Sequence, residues 1–234
     1  MGFYENLITF LYLKLQKPEE KTKSNQLKDY YNLKYPSKPI FYNGRVLPNS
    51  QKRIRVDVRD FFTLQDETLK SIANNATQGI SDDNSKALAL LKWIITNISY
   101  ITDKKQFNLP EYWDFPFETL ATCKNDCEGM SILLANLLII SGIPNWKVRV
   151  NAGMVFEPFS KKLVGHAYVS YFDETTEQWK ILDCCYYPNI KKISERKEYK
   201  KEEMYRDIWF SFNDEYSFAK SNGDVRKMND MDVK

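Results

Sequence analysis

The run that begins at Cys127 constrains this chain more than any other. Met130, Leu133, Leu134, Leu137 and Leu138 fall at the i, i+3, i+4, i+7, i+8 spacing of one helix face. Asn125 and Asp126 are good N-cap residues and put Cys127 in the first turn. Gly142 supplies a left-handed stop, and Pro144 prevents continuation. A helix this apolar has to be buried, and Cys127 stands at its start. There it meets the partial positive charge of the helix end, which favours thiolate. Asp126 and Glu128 flank it and oppose that effect, because neighbouring negative charge disfavours thiolate.

Three strands are expected after this helix: Trp146 to Val150, Val164 to Phe172 and Gln178 to Cys184. Asp173 to Glu177 reads as the turn of an antiparallel hairpin between the last two. Alternation puts His166, Tyr168, Ser170 and Phe172 on one face of the second strand, and Trp179, Ile181, Asp183 and Cys185 on one face of the third. Closing the hairpin pairs residues whose numbers sum to about 349 to 351, so His166 faces Asp183 directly or on the diagonal. His166 is the single histidine of the 234 residues and hence the one obvious neutral-pH base. An Asp beside it would fix its tautomer and steady the imidazolium. The residues alone leave a structural His–Asp pair equally open.

Upstream, Arg53 to Val58 alternates as a short strand and Gln65 to Ala76 reads as a helix. Ser85 to Ser99 reads as a second helix, with Leu88, Leu91, Ile95 and Ile98 on its apolar face. The apolar Met1 to Leu15 reads as a docked helix or strand. Residues 16 to 50 read as an extended arm whose Tyr30, Tyr31, Tyr35 and Tyr42 cover a surface. Lys191 to Glu203 is charged and reads as a solvated helix face. Ile208 to Phe218 is too aromatic for a free tail and should pack back on the domain; the last dozen residues read as disordered. The fold class is α+β in three parts: an N-terminal extension and arm over 1–60, a core over 61–190 and a C-terminal extension over 191–234.

Charge and cysteine usage narrow the function. Lys+Arg 34 against Asp+Glu 31 leaves +3, too balanced to imply a nucleic-acid partner. No stretch reaches 18 apolar residues, so no transmembrane segment is expected. Cys123, Cys127, Cys184 and Cys185, without a secretory signal, read as reduced thiols of a cytoplasmic protein. Cys123, Cys127 and His166 with Cys184 or Cys185 have no usual zinc spacing.

The motifs NDCEGMSILLANLLIISGIP, GHAYVSYF and WKILDCCYYPN, in that order, resemble the transglutaminase-like superfamily of papain-like thiol enzymes. The resemblance runs from about Ala87 to Asn189 and includes YWDFPFETL ahead of the cysteine. It implies a papain-like fold, with a helix-borne cysteine packed on an antiparallel sheet. It also implies Cys127 as nucleophile, His166 as base and acid, and Asp183 as orienter. Trp113 stands where transglutaminases carry an indole donor to the oxyanion, although a buried structural Trp fits as well. The family usually has Gly where this chain has Asn125. Similar bacterial cysteine peptidases hold calcium with acids placed like Asp126 and Glu128; two carboxylates are few for such a site, and helix capping is the plainer reading. The implied activity is acyl transfer at a protein or peptide amide without a cofactor, most simply hydrolysis. Protein crosslinking and a non-catalytic binding protein on the same fold, from a phage or a small bacterium, are the alternatives.

Overall fold

The computed structural model describes residues 37–46, 52–157, 159–189, 191–198, 201 and 203–219. The expectations for Met1 to Leu15, for Tyr30, Tyr31 and Tyr35, and for the last dozen residues lie outside the described residues. A first hairpin joins β1 (Phe41–Val46) to β2 (Arg53–Asp57). The helices α1 (Glu67–Ala76) and α2 (Asp83–Asn97) follow, started by Asp66 and Asp82, whose carboxylates accept the free N–H groups of Thr68, Leu69 and Ser85. The buried stripe of α2 is Ala87, Leu90, Leu91 and Ile94, turned from the expected one, because Leu88 and Ile95 are only partly buried. α2 is apolar on too many sides for spacing alone to choose its inward face.

Two short strands, β3 (Ser99–Tyr100) and β4 (Lys124–Asn125), pair in parallel around α3 (Asp103–Gln106) and α4 (Pro116–Thr122). The apolar helix α5 (Cys127–Ile140) starts directly after β4. Gly142 ends it at φ 92°, as a left-handed stop requires. Gly129 has a different reason to be glycine: a Cβ there would lie 2.0 Å from the Asn125 side chain. That side chain is fully buried; its amide donates to Asp114 Oδ2 and Thr119 Oγ1, and its oxygen accepts from the Asp126 N–H. Asn136, the polar residue in the middle of α5, ties the helix to the upstream segment by accepting from Thr63 N–H and donating to the Phe61 carbonyl.

α5 packs on a five-stranded antiparallel sheet ordered β7-β6-β5-β8-β9, built from β5 (Val148–Phe156), β6 (Leu163–Asp173), β7 (Gln178–Leu182), β8 (Tyr205–Phe212) and β9 (Ser217–Ala219). β5 extends six residues past its expected end, since cross-strand pairing on both sides carries it through polar Asn151 and through Gly153. The face of the sheet toward α5 presents Val150, Ala152, Val169, Tyr171, Leu182, Phe210 and Phe212. The other face carries Val155, Tyr168, Ile181 and Tyr205. The β6–β7 hairpin closes with partners summing to 351, as in Ser170 opposite Ile181.

The expected solvated helix over Lys191 to Glu203 is not found among the described residues. Ile193–Glu195 forms a single 3-10 turn. Arg196 is buried instead, and its guanidinium donates to the carbonyls of Ile181, Tyr187 and Asn189. These bonds are available only because β7 leaves its edge open, which a charge count cannot reveal. Among the described residues no helix is long and apolar enough to cross a membrane.

The Asn125 junction buries Asp114, whose carboxyl is pushed up to about 7 by burial and then by Glu118, against the pull of Asn125 and Arg45. In the unfolded chain this group titrates near ~4. Between the two values the folded state binds more protons, so Asp114 lowers stability progressively as pH rises through that window. Asp114→Asn removes the penalty and leaves an amide oxygen for Asn125. Its melting temperature relative to wild type should therefore rise by at least about 2–4 °C from pH 5 to pH 8, the equivalent of about 1 kcal/mol in a chain this size. A difference that stays constant with pH would show that Asp114 is ionised throughout.

Candidate active site

Cys127 is the first residue of α5 and is 8% exposed. Its sulfur receives the backbone N–H of Ala167, which places the thiol against β6 beside the residue that follows His166. His166 is buried, and its Nε2 lies 2.8 Å from Asp183 Oδ2, leaving Nδ1 as the second ring nitrogen. Asp183 follows the end of β7. Its Oδ1 accepts from the N–H groups of Cys185 and Tyr186, and its Oδ2 accepts from Tyr205 Oη at 2.6 Å as well as facing His166. Burial works against ionisation of Asp183, but the His166 charge and these hydrogen bonds outweigh it and hold the carboxyl below the usual range. The Tyr186 ring covers His166 with centroids 4.6 Å apart.

Residues 70–184 match the model of the transglutaminase-like superfamily. Over this stretch the chain belongs to that superfamily. Solved structures similar to it include a Cytophaga hutchinsonii protein described as a candidate cysteine protease, at 23% identity and TM-score 0.42 over 53% of this chain and 38% of that one. The chain thus spans well under half of that protein's length. Calcium-bound LapG of Legionella pneumophila is similar at 18% identity and TM-score 0.43, over 70% of this chain and 96% of that one. A TGase is similar at 15% identity and TM-score 0.38, over 86% and 42%. Among curated proteins none matches.

In this transglutaminase-like core Trp113 is 4% exposed and stacks on Tyr42, Phe210 and Phe212. Its indole N–H donates to Glu111 Oε1 at 2.7 Å. The first hairpin holds this segment. Tyr42 Oη accepts from Trp113 N–H and donates to the Glu111 carbonyl, and Arg45 forks onto Glu118 at 2.7 and 3.0 Å.

The Cys127 thiol donates to Glu128 Oε2 at 3.1 Å, and its pKa is pushed well above the usual thiol value by burial, then by Glu128, Asp126 and Cys185. The two acids named from the sequence thus both act against thiolate, in the same direction as burial. Glu128 shares a cluster with Glu111 and Asp126, and its own carboxyl is raised by burial and by those two. Asp103 joins through its N–H on Asp126 Oδ2 and is pushed up to about 8 by burial and Asp126. The Oδ1 atoms of Asp103 and Asp126 are buried without a hydrogen-bond partner. These orphaned oxygens, in a set made of carboxylates, suit a hard cation such as calcium. Among the described residues two groups bring their ligand atoms within 4.8 Å of one another, Asp126 with Cys127 and Glu128, and His166 with Asp183 and Cys185; Cys123 and Cys184 join neither.

Asp103, Glu111 and Tyr205 escaped sequence reasoning. Asp103 arrives through the loop after β3, with no motif spacing to mark it, and Tyr205 arrives on a strand three places from β7. Glu111, two residues before Trp113, was the one with a visible cue. Because Cys123 is exposed and Cys127 is held as thiol, limiting iodoacetamide at neutral pH should modify Cys123 first. Glu128→Gln should speed Cys127 alkylation about tenfold, the effect of one unit in thiol pKa. Peptide mapping reads both, and an unchanged Cys127 rate would show that Glu128 does not hold the proton.

Proposed function

We propose that this protein is a thiol hydrolase of protein or peptide amides, working through a thioester on Cys127. The observation that carries the reading is the 2.8 Å His166–Asp183 pair beside a cysteine at a helix start that touches Ala167 N–H. Cys127 sulfur adds to the amide carbonyl carbon while its proton passes to His166 Nδ1. The developing oxyanion lies at the helix start, where the Cys127 N–H can donate to it. Trp113 supplies a second donor once its indole leaves Glu111. His166 then returns the proton to the leaving nitrogen, the C–N bond breaks and the thioester remains. Water adds next, with His166 as base, and releases the carboxylic acid and the thiol. Asp183 holds the imidazole by Nε2 throughout, so Nδ1 faces the reaction.

Of the acids Asp103, Glu111, Asp126 and Glu128, the close pair Asp126 and Glu128 would hold a divalent cation such as calcium, which would neutralise the negative charge beside the thiol. Millimolar calcium should then speed Cys127 alkylation, and a chelator should reverse it; a rate unmoved by calcium would leave the four acids a structural cluster.

The Cys127–Glu128 hydrogen bond favours a second reading, a non-catalytic binding protein in which the thiol stays protonated. Mass spectrometry on a mixed peptide library decides between them. The hydrolase reading expects new peptide ends and an acyl adduct on Cys127; added primary amine appearing in the products would mark crosslinking. His166→Ala should abolish turnover, and Asp183→Asn should lower kcat roughly 10²- to 10⁴-fold in folded protein. Trp113→Phe should lower kcat roughly 10- to 1000-fold if the indole reaches the oxyanion. Turnover that survives in His166→Ala would remove the mechanism.

A further inference from the structure

We infer that Tyr205 is a positioning residue that sets the basicity of Asp183 and, through it, the proton affinity of His166. The inference rests on the reading of Cys127, His166 and Asp183 as a catalytic set. Tyr205 lies on β8, outside the stretch that matches the superfamily.

Asp183 is 1% exposed and receives four hydrogen-bond contacts. Two are backbone N–H groups on Oδ1, which orient the carboxylate. The other two converge on Oδ2: the imidazole Nε2 at 2.8 Å and the Tyr205 hydroxyl at 2.6 Å. A phenol donating to a buried carboxylate makes a short charge-assisted bond that draws negative charge off the oxygen it meets. That oxygen is the one facing His166. Tyr205 therefore competes with the imidazole for the same lone-pair density and weakens Asp183 as a base.

The phenol has little freedom to be elsewhere. Its residue is 4% exposed, pairs with Val155 across β5, and its ring meets Tyr168 edge-on at 4.5 Å. Other charged or titratable groups around the pair act differently. Arg196 spends its guanidinium on three carbonyls of the β7 end and the loop after it, and the Cys185 and Tyr186 side chains reach Asp183 only through space, their N–H groups making the bonds. Cys127 enters only through the proposed mechanism, as the group that would exchange a proton with His166 Nδ1. Among the described residues, Tyr205 is thus the side chain besides His166 that bonds directly to the Asp183 carboxylate.

The single histidine makes the test direct, because one imidazole C2–H resonance reports His166 alone in the full chain. In NMR titrations Tyr205→Phe should move the His166 midpoint upward by about 0.5 to 1 unit, roughly a 3- to 10-fold gain in proton affinity. Asp183→Asn, which removes the negative partner, should move it downward. A Tyr205→Phe midpoint that stays in place while the melting temperature drops would show a packing role and overturn the inference; a downward move would overturn it too. If Tyr205→Phe fails to fold, a fluorinated tyrosine at position 205 keeps the ring and donates more strongly. It should lower the midpoint, and an unmoved midpoint there overturns the inference equally. The readout needs no substrate. A midpoint that moves as expected in a protein that turns over no peptide faults the hydrolase reading and leaves the Tyr205–Asp183–His166 coupling standing.

Discussion

The burial of α5 against β5 and β6 is the interaction on which the rest of this structure depends. Its side chains from Ile132 to Leu138 are buried, and fully burying one Leu or Ile is worth about 1.5–3 kcal/mol. That packing fixes the helix axis, and with it the position of the first residue. The N-terminus comes to rest near Ala167 on β6, beyond the end of the β6–β7 ladder, and the Ala167 backbone acts to lower the Cys127 thiol pKa. β7 ends at Leu182, and Asp183, the next residue, receives its four contacts just past the strand.

Much of this was legible because it follows from two periods. The 3.6-residue spacing from Met130 to Leu138 identified the buried helix, and two-residue alternation with a turn at Asp173 to Glu177 placed His166 and Asp183 on one face within one residue of the observed register. What stayed illegible has no period. Asp103 and Glu111 approach Cys127 by way of α3 and its flanking loops, whose path depends on the first hairpin gripping Trp113 and Glu118. Arg196 belongs to the segment Lys191 to Glu203, read as solvated charge, since nothing local says that Ile181, Tyr187 and Asn189 will present carbonyls to a guanidinium, and Tyr205 falls between that segment and the aromatic stretch from Ile208. Asn125 was taken as a tolerant cap; it is a strand residue at a buried polar junction, a role that only the meeting of Asp114, Thr119 and Gly129 creates.

The charge around Cys127 settles how the helix end should be weighed. A helix N-terminus contributes about 0.3–1 kcal/mol to an anion in its first turn, which is less than one unit of thiol pKa. A like charge within ~4–6 Å can shift a titration by about 1–3 units, and burial can shift it further in the same direction. Glu128 accepts the thiol hydrogen and Asp126 stands on the other side, so the helix end loses by magnitude and not by geometry. The same acids crowd one another enough to raise Asp103 and Glu128, so the cluster itself is strained toward protonation. On the proposed reading, a cation that relieved that crowding would lower the cost of ionising the carboxyls and compete for the two carboxylates that now meet the Cys127 thiol and the Trp113 indole. In the proposed mechanism, nucleophile and oxyanion donor would thus both answer to one electrostatic cluster, while the Asp183 carboxylate is held by donors from a separate part of the sheet.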